Sequence, residues 1–244
     1  MYTFDSLDSI SNMGTTNFPT AAENIRLFNG LSDQQLSWIN NRLHAHNFPS
    51  GADLIVAGTP GEAVYFILTG TVKVFVPQLD GREVTVNLMG PGDTVGELSV
   101  IDSAGRSASV VTLEETKVVW MSRADFQEAF HTIPTLSENL LRTLSSRLRN
   151  TTDNIQAYAS LDIPGRIARQ VLVIANTYGL DHPDGTYIPL RLTQNDIAEL
   201  VGASRKRVNQ VFVVLKRSGV LSVDASWHIT VYRKDMLEQM SVRS

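Results

Sequence analysis

Between residues 51 and 105 the chain places nine of its sixteen glycines. The stretches around and between them are short and rich in β-branched and aromatic residues: 54–56, 64–68, 72–76, 84–88, 109–111 and 117–120. Several of these runs alternate apolar with polar residues, as strands with two different faces do. Short strands separated by turn glycines at near-regular spacing predict a β-barrel or jelly roll over 48–121. Asp80-Gly81, between two of the runs, is a hairpin signal.

The flanks read differently. Residues 1–20 are rich in Ser, Thr and Asn with little periodicity and are expected to form a mobile tail. A short apolar turn follows at 24–28. A helix is expected over 32–43, with apolar residues at Leu36, Ile39 and Leu43, and with Ser32 and Gln35 spaced as a capping box. Helical texture returns at Arg123, and Pro134 opens a long segment to about Leu161. Its seam is Leu141, Leu144, Leu148, Thr151, Ile155 and Tyr158, with steps of three and four residues. A period of 3.5 suits a dimeric coiled coil. Packing of an amphipathic helix on its own barrel is the alternative. Thr151 interrupts the seam, and a polar residue there costs stability and sets register or a contact. The run Asp162-Ile-Pro-Gly165 breaks the helix and marks a domain boundary. A further amphipathic helix over 166–178, a loop at 182–185 and a strand over 187–192 follow. The expected organisation is a tail (1–20), a sensor domain (21–133), a dimerisation helix (134–161) and a DNA-binding domain (162–244).

In the last of these, Thr193 can cap a helix whose apolar face is Ile197, Ala198, Leu200 and Val201. Gly202 supplies a tight turn, and Ser204 can cap a second helix that buries Val208, Val211, Phe212 and Leu215. This is helix-turn-helix patterning. The second helix carries Arg205, Lys206, Arg207, Lys216 and Arg217 and no acid, with the first three in the turn that enters a major groove. Residues 220–223 and 227–231 read as a hairpin wing. A helical hairpin that serves only packing is the alternative, but charge, turn and wing agree on DNA.

Composition narrows the possibilities. The net charge of −4 divides into −7 over 1–160 (10 Lys/Arg, 17 Asp/Glu) and +3 over 161–244 (11 and 8). An acidic front and a basic back suit two domains with different partners. Cysteine is absent, which excludes a disulfide framework, a thiol nucleophile and any iron–sulfur or Cys-held zinc site. With no apolar run of spanning length and no secretory pattern at the N-terminus, no membrane association is expected and a cytoplasmic location is. The five histidines (44, 46, 131, 182 and 228) show only one close pair, His44 and His46, at the expected end of a helix. Surface histidines are the simpler reading than haem ligands, and no metal is expected.

The chemistry of the first domain concentrates at Gly96-Glu-Leu98 and Gly105-Arg-Ser-Ala108. Glycines permit close backbone approach to a ligand. A helical turn starting near Glu97 offers N–H groups to an anion. Arg106 can pair with a phosphate, and Glu97 can accept hydrogen bonds from sugar hydroxyls. A glycine-rich barrel turn with a surface ion pair fits the same residues.

Gly96-Glu-Leu98, seven residues, then Arg106-Ser-Ala108 resembles the phosphate-binding cassette of cyclic-nucleotide-binding domains. Together with 161–168 and the Val201-Gly-Ala-Ser-Arg205 turn, the chain resembles the CRP/FNR superfamily of bacterial transcription regulators from about Ile25 to Tyr232, nearest to its cyclic AMP-sensing branch. The resemblance implies an α+β fold: an N-terminal cyclic-nucleotide-binding β-roll (jelly roll), a long dimerisation helix and a C-terminal winged helix-turn-helix. It implies a homodimer that binds a palindromic operator in double-stranded DNA and meets RNA polymerase, with cyclic AMP as effector. Glu97 would bind the ribose 2′-hydroxyl, with the Gly96 and Leu98 backbone beside it. Arg106 and Ser107 would hold the cyclic phosphate, and Thr151 and Thr152 would touch adenine, one of them from the opposite subunit. DNA contacts fall on Thr193, Gln194, Ser204, Arg205, Lys206, Arg207, Asn209 and Gln210, with Arg205 matching a base-reading arginine. Lys206 stands where cyclic AMP receptors carry Glu, and Gln210 where they carry Arg, so the operator differs.

Other readings of the same architecture are cyclic GMP, cyclic di-GMP or 2-oxoglutarate as effector, or constitutive DNA binding. An enzyme is not expected. The chain has no G-x-S-x-G, no H-E-x-x-H and no Walker loop, and Gly90-Pro-Gly92 is a turn.

Overall fold

The computed structural model describes residues 25–242, so the expected tail at 1–20 lies outside the described residues. The chain divides into two compact units. One runs up to Glu83 and continues over Leu88–Thr143; the other is Leu144–Ser244 with Val84–Asn87. The division falls inside one helix rather than at its end.

The first unit opens with a 3-10 turn, Arg26–Phe28, and helix α1, Asp33–Asn40. The Ser32 hydroxyl accepts from Gln35 N–H while the Gln35 side chain accepts from Ser32 N–H, closing the capping box. Eight antiparallel strands follow: β1 (His44–Phe48), β2 (Asp53–Ile55), β3 (Ala63–Thr69), β4 (Val72–Pro77), β5 (Glu83–Met89), β6 (Thr94–Val95), β7 (Ser109–Thr112) and β8 (Thr116–Ser122). A short helix α2, Glu97–Ile101, lies between β6 and β7, and α3, Arg123–Thr132, follows β8. The strands form two four-stranded sheets, ordered β1-β8-β3-β6 and β2-β7-β4-β5. Phe48, Ile67, Val95 and Val118 of the first sheet share a core with Leu54, Ile55, Val72, Met89 and Val110 of the second. This shared core makes the roll a two-sheet sandwich; the adjacent Leu54 and Ile55 both reach it because the register of β2 shifts between Asp53 and Ile55. The other face of β3 and β8 is also covered: Val64, Phe66, Val119 and Met121 are buried, as are Phe126 and Ala129 of α3.

His44 and His46 are not at a helix end. Helix α1 stops at Asn40, and both histidines belong to β1, where they pair across from Trp120 and Val118. The His44 ring stacks on Trp120 with centroids 4.6 Å apart, and His46 meets Phe48 edge-on at 4.4 Å. Their spacing of two is the strand period, so they pack against aromatic neighbours on a sheet.

Helix α4, Pro134–Ser160, is a single helix of 27 residues. Its first part is anchored in the first unit by buried Leu136 and Leu140. The second unit contains the remainder of α4 and α5 (Ile163–Tyr178), β9 (Leu180–His182), β10 (Gly185–Ile188), α6 (Gln194–Val201), α7 (Arg205–Arg217), β11 (Leu221–Val223), β12 (Ile229–Val231) and α8 (Lys234–Val242). Asp162 caps α5 by accepting from Gly165 N–H, with Pro164 in the first turn, so the helix-breaking run also starts the next helix. The strand expected over 187–192 ends at Ile188 and pairs with β9 and β12; Pro189 follows it directly, and proline has no N–H to extend a ladder. The wing is present as β11 paired with β12. Helix α8, which the sequence reading left unassigned, packs on α5 and buries Leu237. Among the described residues, no helix is long and apolar enough to cross a membrane.

Candidate ligand and nucleic-acid sites

Gly96 ends the two-residue strand β6 and begins α2 at φ +84°, a left-handed conformation that disfavours any residue with a Cβ. A Cβ built there would lie 2.4 Å from Arg106 Nη1 and 3.0 Å from Ile55 Cδ1. The guanidinium therefore occupies the space that the missing side chain leaves. Arg106 Nη1 donates to the Gly96 carbonyl at 2.7 Å and to Ser99 Oγ at 2.9 Å, and Nη2 donates to the Ala63 carbonyl at 2.7 Å. The Ser99 hydroxyl in turn donates to the Gly96 carbonyl at 3.2 Å. The backbone is equally fixed, because Arg106 N–H donates to Thr59 O and its carbonyl accepts from Gly58 N–H.

Arg106 is 8% exposed and Glu97 3% exposed. The surface ion-pair alternative is therefore excluded: two ionisable side chains one helical turn and a loop apart are held inside the wall of the roll. Burying such groups is costly unless they are hydrogen-bonded, and the contacts of Arg106 with two carbonyls and a hydroxyl meet that requirement. Leu98 and Ser107 are exposed beside them. Ser99 was not singled out in the sequence, although its place three residues after Gly96 on a helical turn puts it on the same side.

Thr151 and Thr152 lie on the exposed surface of α4. Their hydroxyls donate to the carbonyls four residues back, Arg147 at 2.9 Å and Leu148 at 3.0 Å. Each hydroxyl keeps acceptor capacity toward solvent. Along the same helix Leu141, Leu148 and Ile155, seven residues apart, are 62%, 69% and 65% exposed. Tyr158, the last residue of the expected seam, instead directs its hydroxyl to the Leu200 carbonyl of its own chain at 2.7 Å. Burial raises the phenol above its usual pKa, and the positive charge of Arg166 opposes that rise.

The helix-turn-helix is built by caps. Thr193 closes a capping box with Asp196, Gly202 turns the chain at φ +62°, and Ser204 accepts from Arg207 N–H. Helix α7 buries Val208, Val211, Phe212 and Leu215. Its opposite face exposes Arg205, Lys206, Arg207, Asn209 and Gln210. Gln194 Nε2 donates to Asn209 Oδ1 at 3.0 Å, which joins α6 to α7 on the polar side too, and within α7 Arg207 Nη1 donates to Gln210 Oε1 at 3.2 Å. Thr193 and Ser204 act here as caps, while the arginines, Lys206 and the two amides form a cationic, donor-rich surface. Such a surface suits phosphates and base acceptors.

Comparison with known proteins bears on both units. Residues 45–132 match the cyclic nucleotide-binding domain family, and residues 165–240 match the Crp-like helix-turn-helix domain family. The chain is 35% identical over 198 residues to a CRP-like cAMP-activated global transcriptional regulator of Mycobacterium tuberculosis, covering 81% of this chain and 88% of that one. Among solved structures it resembles the c-di-GMP responsive global regulator CLP of Xanthomonas campestris, with a TM-score of 0.64 and 26% identity over 82% of this chain and 99% of that one. FixK2 of Bradyrhizobium japonicum shares the fold, with a TM-score of 0.71 and 18% identity over 83% and 98% of the two chains. A buried arginine cassette in a β-roll and a capped helix-turn-helix thus occur in one chain whose two parts match the two domain families, and the protein belongs to the CRP/FNR family of transcription regulators.

Proposed function

We propose that the protein is a cyclic AMP-responsive, sequence-specific DNA-binding regulator that acts in the cytoplasm as a homodimer on a palindromic operator and works through RNA polymerase rather than by catalysis. The observation that carries the reading is the buried Arg106, fixed against the Cβ-less Gly96 beside buried Glu97. A guanidinium oriented by three acceptors is prepared for a phosphate, and Glu97 for a ribose hydroxyl. Ser107, exposed next to Arg106, adds a hydroxyl to the phosphate side.

Adenine follows from α4. The Thr151 and Thr152 hydroxyls already donate within the helix, so the capacity they retain is to accept. At C6 adenine presents an amino group to such an acceptor, whereas guanine presents a carbonyl there and places its donors at N1 and N2 instead. Dimerisation follows from the exposed Leu141, Leu148 and Ile155 row, since an apolar seam at heptad spacing buries itself against a second copy. In the dimer the two α7 helices meet half-sites about one helical turn, ~34 Å, apart.

Cyclic di-GMP is the second reading, favoured by the 26% identity to a regulator described as responsive to it. Calorimetric titration with cyclic AMP, cyclic GMP and cyclic di-GMP separates these. Cyclic AMP should bind, and Arg106→Ala should weaken it by ~2–5 kcal/mol, the loss expected for a buried charge-assisted pair. Unchanged affinity in that variant would remove Arg106 from the site.

A further inference from the structure

The four terminal carbonyls of α6 have no partners inside the helix. Two are satisfied by backbone: Ala198 O accepts from Gly202 N–H and Ala203 N–H, and Glu199 O from Gly202 N–H. The other two are satisfied by side chains of other helices. Tyr158 Oη donates to Leu200 O at 2.7 Å, and Arg166 Nη1 donates to Val201 O at 2.9 Å. The Arg166 guanidinium also lies 5.6 Å from the centre of the Tyr158 ring. A Cβ built on Gly202 would come within 3.5 Å of Tyr158 Cε1 and 3.7 Å of Arg166 Nη1, so the turn into α7 lies directly against this pair. Tyr158 is in the last turn of α4 and Arg166 in the first turns of α5. The end of the bracing helix, and with it the start of the recognition helix, is tied to the end of the long helix by one hydroxyl and to the start of α5 by one guanidinium.

We infer that Tyr158 is a positioning residue for operator recognition: its hydroxyl holds the C-terminus of α6 to the end of α4, so that a ligand acting on α4 also sets the orientation of α7. The heptad spacing assigns Tyr158 to the dimer seam, but its polar end serves its own chain. The inference rests on the ligand-responsive reading above and adds a residue to it. Coupling of this kind is a difference in free energy between two states. The Tyr158 hydrogen bond can contribute only if it is made better in one of them.

The test uses full-length protein and Tyr158→Phe, which removes only the hydroxyl. Affinity for operator is measured with and without cyclic AMP, alongside affinity for non-specific DNA, affinity of the free protein for cyclic AMP, and the thermal midpoint, all at one salt concentration. The gain in operator affinity on adding cyclic AMP should fall about three- to tenfold, the size of one hydrogen bond. Non-specific DNA binding and nucleotide binding should stay within about twofold of wild type. An unchanged gain overturns the inference. A parallel fall in specific and non-specific binding with a lower midpoint also overturns it, because it marks a merely structural role. If wild type itself shows no gain, the ligand-responsive reading fails instead. The positioning role then stands only if the ratio of operator to non-specific affinity falls in the variant. Arg166→Lys perturbs the neighbouring cap and serves if Tyr158→Phe does not fold; an unchanged gain there likewise overturns the proposal.

Discussion

Replacing Gly96 by Ala tests whether close packing against Arg106, rather than backbone freedom alone, requires glycine at the start of α2. Two costs are separable. Gly96 is at φ +84°, and an L-residue there pays roughly 1–2 kcal/mol. The new Cβ would also lie 2.4 Å from Arg106 Nη1, inside any permissible contact, with Ile55 Cδ1 at 3.0 Å blocking an alternative. The guanidinium must move, and Nη1 then gives up at least one of its bonds to Gly96 O and Ser99 Oγ. A hydrogen bond to a charged group is worth ~1.5–3 kcal/mol, so Gly96→Ala should cost ~2.5–5 kcal/mol in all. Gly81→Ala is the control. Gly81 has nearly the same φ, +81°, but nothing lies within 4 Å of its Cβ position, so only the ~1–2 kcal/mol of backbone strain applies. Urea unfolding followed by tryptophan fluorescence in a Trp227→Phe background reports the first unit alone, because Trp38 and Trp120 both lie there. Equal midpoints for Gly96→Ala and Gly81→Ala would refute the close-packing argument.

Leu148→Lys should leave the monomer folded, since the side chain is 69% exposed, but should shift sedimentation toward monomer by placing like charges across the seam. Arg205→Ala should cost ~1–3 kcal/mol of operator affinity in a binding titration while cyclic AMP affinity stays unchanged, because the residue is on the exposed face of α7. Burial holds the His46 imidazole below its ordinary pKa of 6.5, so near that value the unfolded chain binds more protons than the folded one. Its contribution is complete above 6.5 and is lost as pH falls toward the lower folded value. Urea midpoints of the first unit should accordingly decline more steeply below pH 6.5 in wild type than in His46→Gln.

The strands were legible where alternation and glycine punctuation coincide. Residues 64–68 and 72–76 lie within β3 and β4, and Asp80-Gly81 lies in the turn between β4 and β5. Strand β1 was missed because His-Ala-His-Asn-Phe carries little β-branched character. It is a strand because β8 offers five pairing partners, from Trp120 to Thr116. Strand β6 is two residues long, between Asp93 and Gly96, too short for any periodicity, and exists by pairing Thr94 and Val95 with Phe66 and Tyr65. Helix α8 has a buried residue, Leu237, but lies beyond the wing, where nothing in the local pattern says what it covers. In each case the deciding interaction comes from a distant element, which no local window contains.

The candidate sites divide along the same line. Caps are local, so Ser32, Thr193 and Ser204 could be assigned from the two or three residues after them, and each accepts a hydrogen bond from the expected N–H. The spacing of Glu97 and Arg106 is legible in the sequence, but the surroundings of Arg106 are not. The sequence leaves a phosphate site and a surface ion pair equally open, and the surface pair is removed by the burial of Arg106, whose Nη2 donates to Ala63 O, 43 residues away on β3. Tyr158 makes a contact that its place in the seam does not foretell. Its heptad position is correct arithmetic for a coiled coil, and Leu141, Leu148 and Ile155 on the same helix are indeed exposed. A tyrosine, however, carries a hydroxyl that must be satisfied wherever the ring is half-buried. Here it donates to a carbonyl at the end of α6, 42 residues later. Apolar periodicity locates a face; polar atoms at the end of a side chain answer to orphan donors and acceptors that only the assembled fold brings near.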